Sequence, residues 1–190
     1  MKTSREQMIE GALALLARHG LQATSFSEVL KLTKAPRGSI YHHFPGGKDE
    51  LVAEALKLLE ERTMKNIQAL DSSKPEKIVE GFLGLWRYLL TTYDFSTGCS
   101  AVAVTVATNS PSLLERAESI FESWQDVLSK KFIKAGLTRK QATEFTTTLI
   151  AACEGAVVMS RSAKSIEPFE RVAKQLVLQA KSLSRSRTKN

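Results

Sequence analysis

The segment Pro36-Arg37-Gly38-Ser39-Ile40-Tyr41-His42-His43-Phe44 decides how the rest of this chain is read. Ile40 and Phe44 stand four apart, so on a helix they share one face and can anchor it to Leu13, Val29 and Leu30. Arg37, Ser39, Tyr41, His42 and His43 then point outward. Gly38 has no side chain, so the backbone there can come close to another surface. The helix is short. Proline disfavours helical geometry in the residue before it, here Ala35, and Pro45-Gly46-Gly47 stops the run.

Working outward, helix signals recur almost throughout. Thr3-x-x-Glu6 has the form of a capping box, followed by Met8, Ile9, Ala12, Leu13 and Leu16 at helical spacing and by Gly20 as a stop. Ser25-x-x-Glu28 opens a short second helix with Phe26, Val29 and Leu30 inward. Asp49 and Glu50 sit in the first turn of a long helix from Lys48 to about Leu70, where they favour the positive end of its dipole. Ser73-x-x-Glu76 around Pro75, Ser110-Pro111, Thr138-x-x-Gln141 and Pro168 mark further starts, and Gly136 a separation. Ala101–Val106 is β-branched at alternate positions and has strand propensity. No second strand-like run exists to pair with it, so it is read as a short buried helix. The fold class is all-α.

Three short N-terminal helices with a tight turn before the third fit a helix-turn-helix, whose last helix enters the major groove. Tyr and His at a groove edge can donate hydrogen bonds to phosphates, and Arg37 can reach a phosphate or a guanine edge. Lys48 can add a phosphate contact. Outward polar residues on a short helix can equally be a solvated face, and the residues alone leave that open.

Charge favours the first reading. The chain of 190 residues has net charge +7 and a pI near 9.5, which suits polyanionic partners. Lys31, Lys34, Arg37 and Lys48 fall in a window without any Asp or Glu, and Lys181, Arg185, Arg187 and Lys189 make a basic end. The content of 43% hydrophobic and 25% charged residues is that of a soluble globular protein. No apolar stretch reaches the ~18 residues needed to span a bilayer, and the N-terminus does not read as a signal peptide. Cys99 and Cys153 are too few for a disulfide scaffold and match no zinc spacing, so a cytoplasmic setting is expected. His42-His43 diverge by about a hundred degrees on a helix and share a metal ion poorly. No metal or cofactor is expected.

Ala23-Thr24-Ser25 and the run from Ala35 to Leu51, with Tyr41-His42-His43-Phe44-Pro45-Gly46-Gly47-Lys48 at its centre, resemble the DNA-binding domain of the tetracycline-repressor (TetR) family. The resemblance is to its LmrA/YxaF-like branch and extends to Gly98-Cys99, Phe121-x-x-Trp124 and the region from Glu154-Gly155-Ala156 to Pro168-x-x-Arg171-Val172-Ala173. It implies nine or so helices: a helix-turn-helix domain over 1–47, a ligand-binding and dimerisation domain over 48–185, and a basic tail over 186–190. Thr24 and Ser25 would cap the second helix and touch phosphate. Arg37, Gly38 and Ser39 would begin the recognition helix after Pro36, and Tyr41, His42 and Lys48 would contact the backbone, with His43 beside them. Two positions depart. Lys34 fills a turn position often held by Gly, where it strains the turn or adds a phosphate contact. Ser100 stands where the branch commonly has Pro.

The same resemblance implies a homodimer and a ligand cavity that controls DNA binding. Small residues at Ala151, Ala152, Gly155 and Ala156, with Val172, Leu176 and Val177 on the last helix, suit a four-helix dimer interface, though packing inside one chain needs the same residues. Phe82, Trp86, Cys99, Val102, Phe121 and Trp124 are candidate pocket residues, and such aromatics also serve as plain core. The expected function is a repressor that binds a palindromic operator as a dimer and is released by a small, mostly apolar effector. The alternative is a redox-responsive repressor switched by Cys99 or Cys153, although both lie in apolar runs where a thiol is normally inert. A non-specific basic DNA-coating protein is a further reading. An enzyme is disfavoured, since two of the three histidines lie in the candidate DNA reader and no phosphate loop or metal motif is present.

Overall fold

Capping chemistry sets most of the helix boundaries. The computed structural model describes residues 2–185, with the backbone alone for Arg37 and Arg185; the basic tail expected over 186–190 lies outside the described residues. Helix α1 (Ser4–Ala23) opens on a reciprocal box: the Glu6 amide donates to Thr3 Oγ1 at 3.2 Å, and the Thr3 amide to Glu6 Oε2 at 2.8 Å. Gly20, at φ 78°, breaks its regular geometry. Helices α2 (Phe26–Thr33) and α3 (Arg37–His43) follow, joined through Lys34 in a left-handed conformation. Then come α4 (Lys48–Gln68), α5 (Pro75–Thr92), α6 (Ser100–Thr105), α7 (Pro111–Lys134), α8 (Arg139–Ala163) and α9 (Glu167–Arg185). No strand occurs among the described residues, and none of their helices is long and apolar enough to cross a membrane. The strand-like run from Ala101 is helical, with Ala101 and Val104 fully buried. Two starts differ from expectation. Lys74, not Ser73, is the N-cap of α5, and the Ser73 amide that a capping box would offer to Glu76 donates to Asp71 Oδ1 at 2.8 Å. Cys99 caps α6, with Ser100 as its first residue.

Two compact units divide the chain, but not at residue 47. One runs from the N-terminus to Thr63 and adds Cys99–Ile120; the other holds Met64–Gly98 and the chain from Phe121 onward. Both α4 and α7 therefore contribute to each unit. The physical reason lies in α1, which packs on α2 and α3 and also on α6, so α6 belongs with the N-terminal helices. The first unit buries Met8, Ala12, Leu16, Val29, Ile40 and Phe44 with Leu51, Val52, Ala55 and Leu56 of α4. Gly11 lets α2 close on α1, since a Cβ there would lie 2.6 Å from Thr33 Cγ2.

In the second unit α5 packs on α8 and α9, and α8 on α9. Phe82, Trp86, Trp124, Phe132, Phe145, Leu149 and Phe169 fill the interior, with Phe132 and Phe145 edge to face at 5.2 Å. Lys131 Nζ donates to the carbonyls of Gln68 and Leu70, each at 2.9 Å, and so satisfies the end of α4. Arg87 grips Glu170 with two nitrogens, joining α5 to α9.

Candidate nucleic-acid interface and regulatory core

Helix α3 is held from below by Ile40 and Phe44, both essentially without exposure. The Arg5 guanidinium covers the Phe44 ring at 5.3 Å. What remains outward is polar. Tyr41 is 70% exposed and meets Phe26 of α2 edge-on, with ring centroids 5.4 Å apart at 78°. His42 is exposed and His43 half-buried, their rings 5.5 Å apart. Pro36 is the N-cap, and its carbonyl accepts both the Ser39 amide, at 3.1 Å, and the Ser39 hydroxyl, at 2.7 Å. The Arg37 side chain lies outside the described atoms; its backbone opens the helix.

Gly38 is exposed, and a Cβ built on it would meet no atom within 4 Å. Among the described residues, glycine there serves no packing. Lys34 is exposed at φ 56° and ψ 25°, a strained conformation for a residue with a Cβ. Lys48 Nζ donates to the Leu21 carbonyl at 2.7 Å, tying the first residue of α4 to the end of α1.

Thr24 and Ser25 separate in role. Ser25 caps α2 as expected, accepting the Glu28 amide at 3.2 Å. Thr24 does not cap it: at 1% exposure its hydroxyl donates to the Gly20 carbonyl at 2.9 Å, closing α1 after the Gly20 break. It has no surface for a phosphate. Phe26, expected inward with Val29 and Leu30, is only half-buried and turns its ring edge-on to Tyr41 on the outer side of α3.

The candidate pocket residues fall in different units. Phe82, Trp86, Phe121 and Trp124 belong to the second, where Phe121 meets Trp124 edge-on at 5.6 Å. Trp124 is 1% exposed, and its Nε1 has no hydrogen-bond partner among the described residues. Cys99 and Val102 stand on or beside α6 in the first unit, Cys99 buried and Val102 half-buried. Burial pushes the Cys153 thiol up to about 12, with the Glu154 charge adding to it. No cluster of His, Cys, Asp or Glu that could hold a metal occurs among the described residues.

The candidate dimer residues also divide. Ala156, at 1% exposure, and Leu176, at 3%, are sealed inside the protomer and have no surface to offer a partner. Ala152, Val172 and Val177 are half-buried, and Gly155 is exposed. The outward face of α8 is instead formed by Ala151, Gly155, Val158 and Met159, the last two 59% and 57% exposed, with Leu178 of α9 at 50%.

A short polar-faced helix after a tight turn, seated on two helices of the same core, is the geometry of a helix-turn-helix DNA-binding regulator. Residues 8–55 match bacterial regulatory proteins of the tetR family, and residues 75–175 match the C-terminal domain of LmrA/YxaF-like transcriptional regulators. The chain belongs to the tetR family of transcriptional regulators, in that branch. It is 31% identical to an uncharacterised HTH-type transcriptional regulator of Mycobacterium tuberculosis over 93% of each chain. With the HTH-type transcriptional regulator LmrA of Bacillus subtilis it shares 27% identity over 87% of this chain and 90% of that one. A TetR transcriptional regulator from Legionella pneumophila has the same fold, with a TM-score of 0.83 over 95% of this chain and 98% of its own at 18% identity.

Proposed function

We propose that this regulator is a homodimeric repressor that reads a palindromic operator with α3 and leaves it when a small, mostly apolar effector binds. The observation that carries the DNA half is Gly38. Glycine in a helix costs ~0.5–1 kcal/mol relative to alanine, and no contact among the described residues uses the missing Cβ. Close approach by an external backbone, that of the duplex, accounts for it. Ser39, Tyr41, His42, His43, Lys34 and Lys48 supply polar groups around it, Pro36 and Arg37 open the helix, and Ser25 stands at the start of α2.

The dimer reading is supported by the exposed apolar face of α8 with Leu178, which a second copy would cover. The effector reading is supported by Trp124. A buried donor without a partner costs ~1–3 kcal/mol, and an acceptor on a planar ligand would remove that cost. The redox alternative has no such support: Cys99 and Cys153 are both buried, and the Cys153 thiol, raised to about 12, is protonated and inert at neutral pH.

Selection of duplexes from a random pool, followed by sedimentation of the complex, tests the reading. The expected product is an inverted repeat with half-sites about one helical turn, ~34 Å, or a multiple of it apart. Complexes should contain an even number of chains. Enrichment of no sequence, with binding that depends only on salt, overturns it.

A further inference from the structure

We propose that Phe26 is a positioning residue for DNA binding: its ring holds the Tyr41 phenol in the orientation that meets a phosphate. This rests on α3 being the DNA-facing helix and adds a residue from outside it. Tyr41 is 70% exposed, so little of the protein surrounds its ring. An aromatic side chain so placed populates several rotamers, each carrying the hydroxyl to a different position. The edge-to-face contact with Phe26, at 5.4 Å and 78°, selects one of them. A side chain already ordered in the free protein loses less rotamer freedom on binding.

Phe26 is not needed to close the core below. Val29 and Ile40 are fully buried and Phe44 nearly so, whereas Phe26 stays half-buried at the first turn of α2. Its position also joins two elements. Phe26 follows Ser25, the cap of α2, so the contact aligns the start of α2 with the outer face of α3. Tyr41 and the Ser25 end of α2 are thereby presented together, as two points on one strand of phosphates require.

The test is a double-mutant cycle on a duplex that the wild-type chain selects from a random pool. A net hydrogen bond to a phosphate predicts that Tyr41→Phe weakens binding roughly fivefold in the wild-type background. In Phe26→Leu, which keeps an apolar side chain at the site, the phenol is no longer held. That variant should bind roughly three- to fivefold more weakly, and adding Tyr41→Phe should cost less than about 1.5-fold more. Phe26→Tyr, which keeps the ring, should bind within about twofold of wild type. A purely structural role would lower the melting temperature of Phe26→Leu but leave the Tyr41→Phe penalty unchanged. An equal penalty in both backgrounds therefore overturns the inference while leaving the DNA reading intact. If the wild-type chain selects no duplex, both fall together.

Discussion

Lys34 and Gly38 are two residues whose local cost has no return among the described residues. Lys34 holds a left-handed conformation, which is disfavoured for a residue with a Cβ by ~1–2 kcal/mol. Its side chain is exposed, and its backbone makes the turn between α2 and α3. Lys34→Gly is expected to raise stability by about 1 kcal/mol, or ~2–4 °C in melting temperature for a chain of this size. If the ammonium meets a phosphate, the same change should reduce the slope of log affinity against log salt by about one. A raised melting point with an unchanged salt slope would show that Lys34 strains the turn without touching DNA. Gly38→Ala should likewise gain ~0.5–1 kcal/mol in unfolding experiments. Yet it should lose roughly tenfold or more in operator affinity, about 1.4 kcal/mol. Unimpaired binding by this variant would remove the main support for α3 approaching the duplex closely.

At the scale of the element, α8 shows what periodicity can and cannot convey. Its start was legible because Thr138 and Gln141 form the reciprocal cap that their spacing announces. Its partners were not. A helix with apolar residues on two faces satisfies the same spacing whether one face is core or interface, so Ala156 and Ala151 look alike in sequence. Only packing buries the first in the protomer interior and leaves the second outside. Thr24 and Ser25 present the same ambiguity at a helix end, where two adjacent hydroxyls each suit a cap and the Gly20 carbonyl claims one. Val158→Asp together with Met159→Glu should therefore convert a sedimenting dimer to monomer. The monomer should stay folded, because surface changes usually fall within ~0.5 kcal/mol. A dimer that survives both charges places the interface elsewhere. The strap between α5 and α9 gives a pH signature. The hydrogen bond from Arg87 holds the Glu170 carboxyl below its ordinary 4.5, against an opposing desolvation cost. A depressed carboxylate contributes stability that is present above 4.5 and lost as pH falls through the folded value. With side chains 41% and 42% exposed the effect is small, a few tenths of a kcal/mol. The melting-temperature gap between wild type and Glu170→Gln should thus shrink below pH 4.5, whereas a constant gap would mean that the pair contributes through shape alone.

Across the whole molecule, the proposed repression and release would be one equilibrium seen from two ends. An effector can lower operator affinity only by as much as it prefers the protein off DNA, and the operator must weaken effector binding by the same factor. Couplings of ~1–3 kcal/mol, roughly 5–150-fold, are usual and sufficient for a switch. Helix α7 contributes to both compact units, carrying Trp124 in one and Leu113, Ala117 and Ile120 in the other. A contact made at Trp124 is thus made on an element the N-terminal unit shares. Trp124→Phe keeps an aromatic ring and removes only the unpartnered N–H and part of the indole. It is expected to leave operator affinity within about twofold, since the change lies outside the duplex contacts. Its release by planar aromatic ketones should be weakened by about tenfold, the value of one well-made hydrogen bond in a dry site. Calorimetry of the most effective ketone, with and without operator, closes the cycle: the affinity ratio must equal the loss of operator affinity measured by anisotropy. A Trp124→Phe variant that is released as readily as wild type would place the effector's polar anchor on another residue.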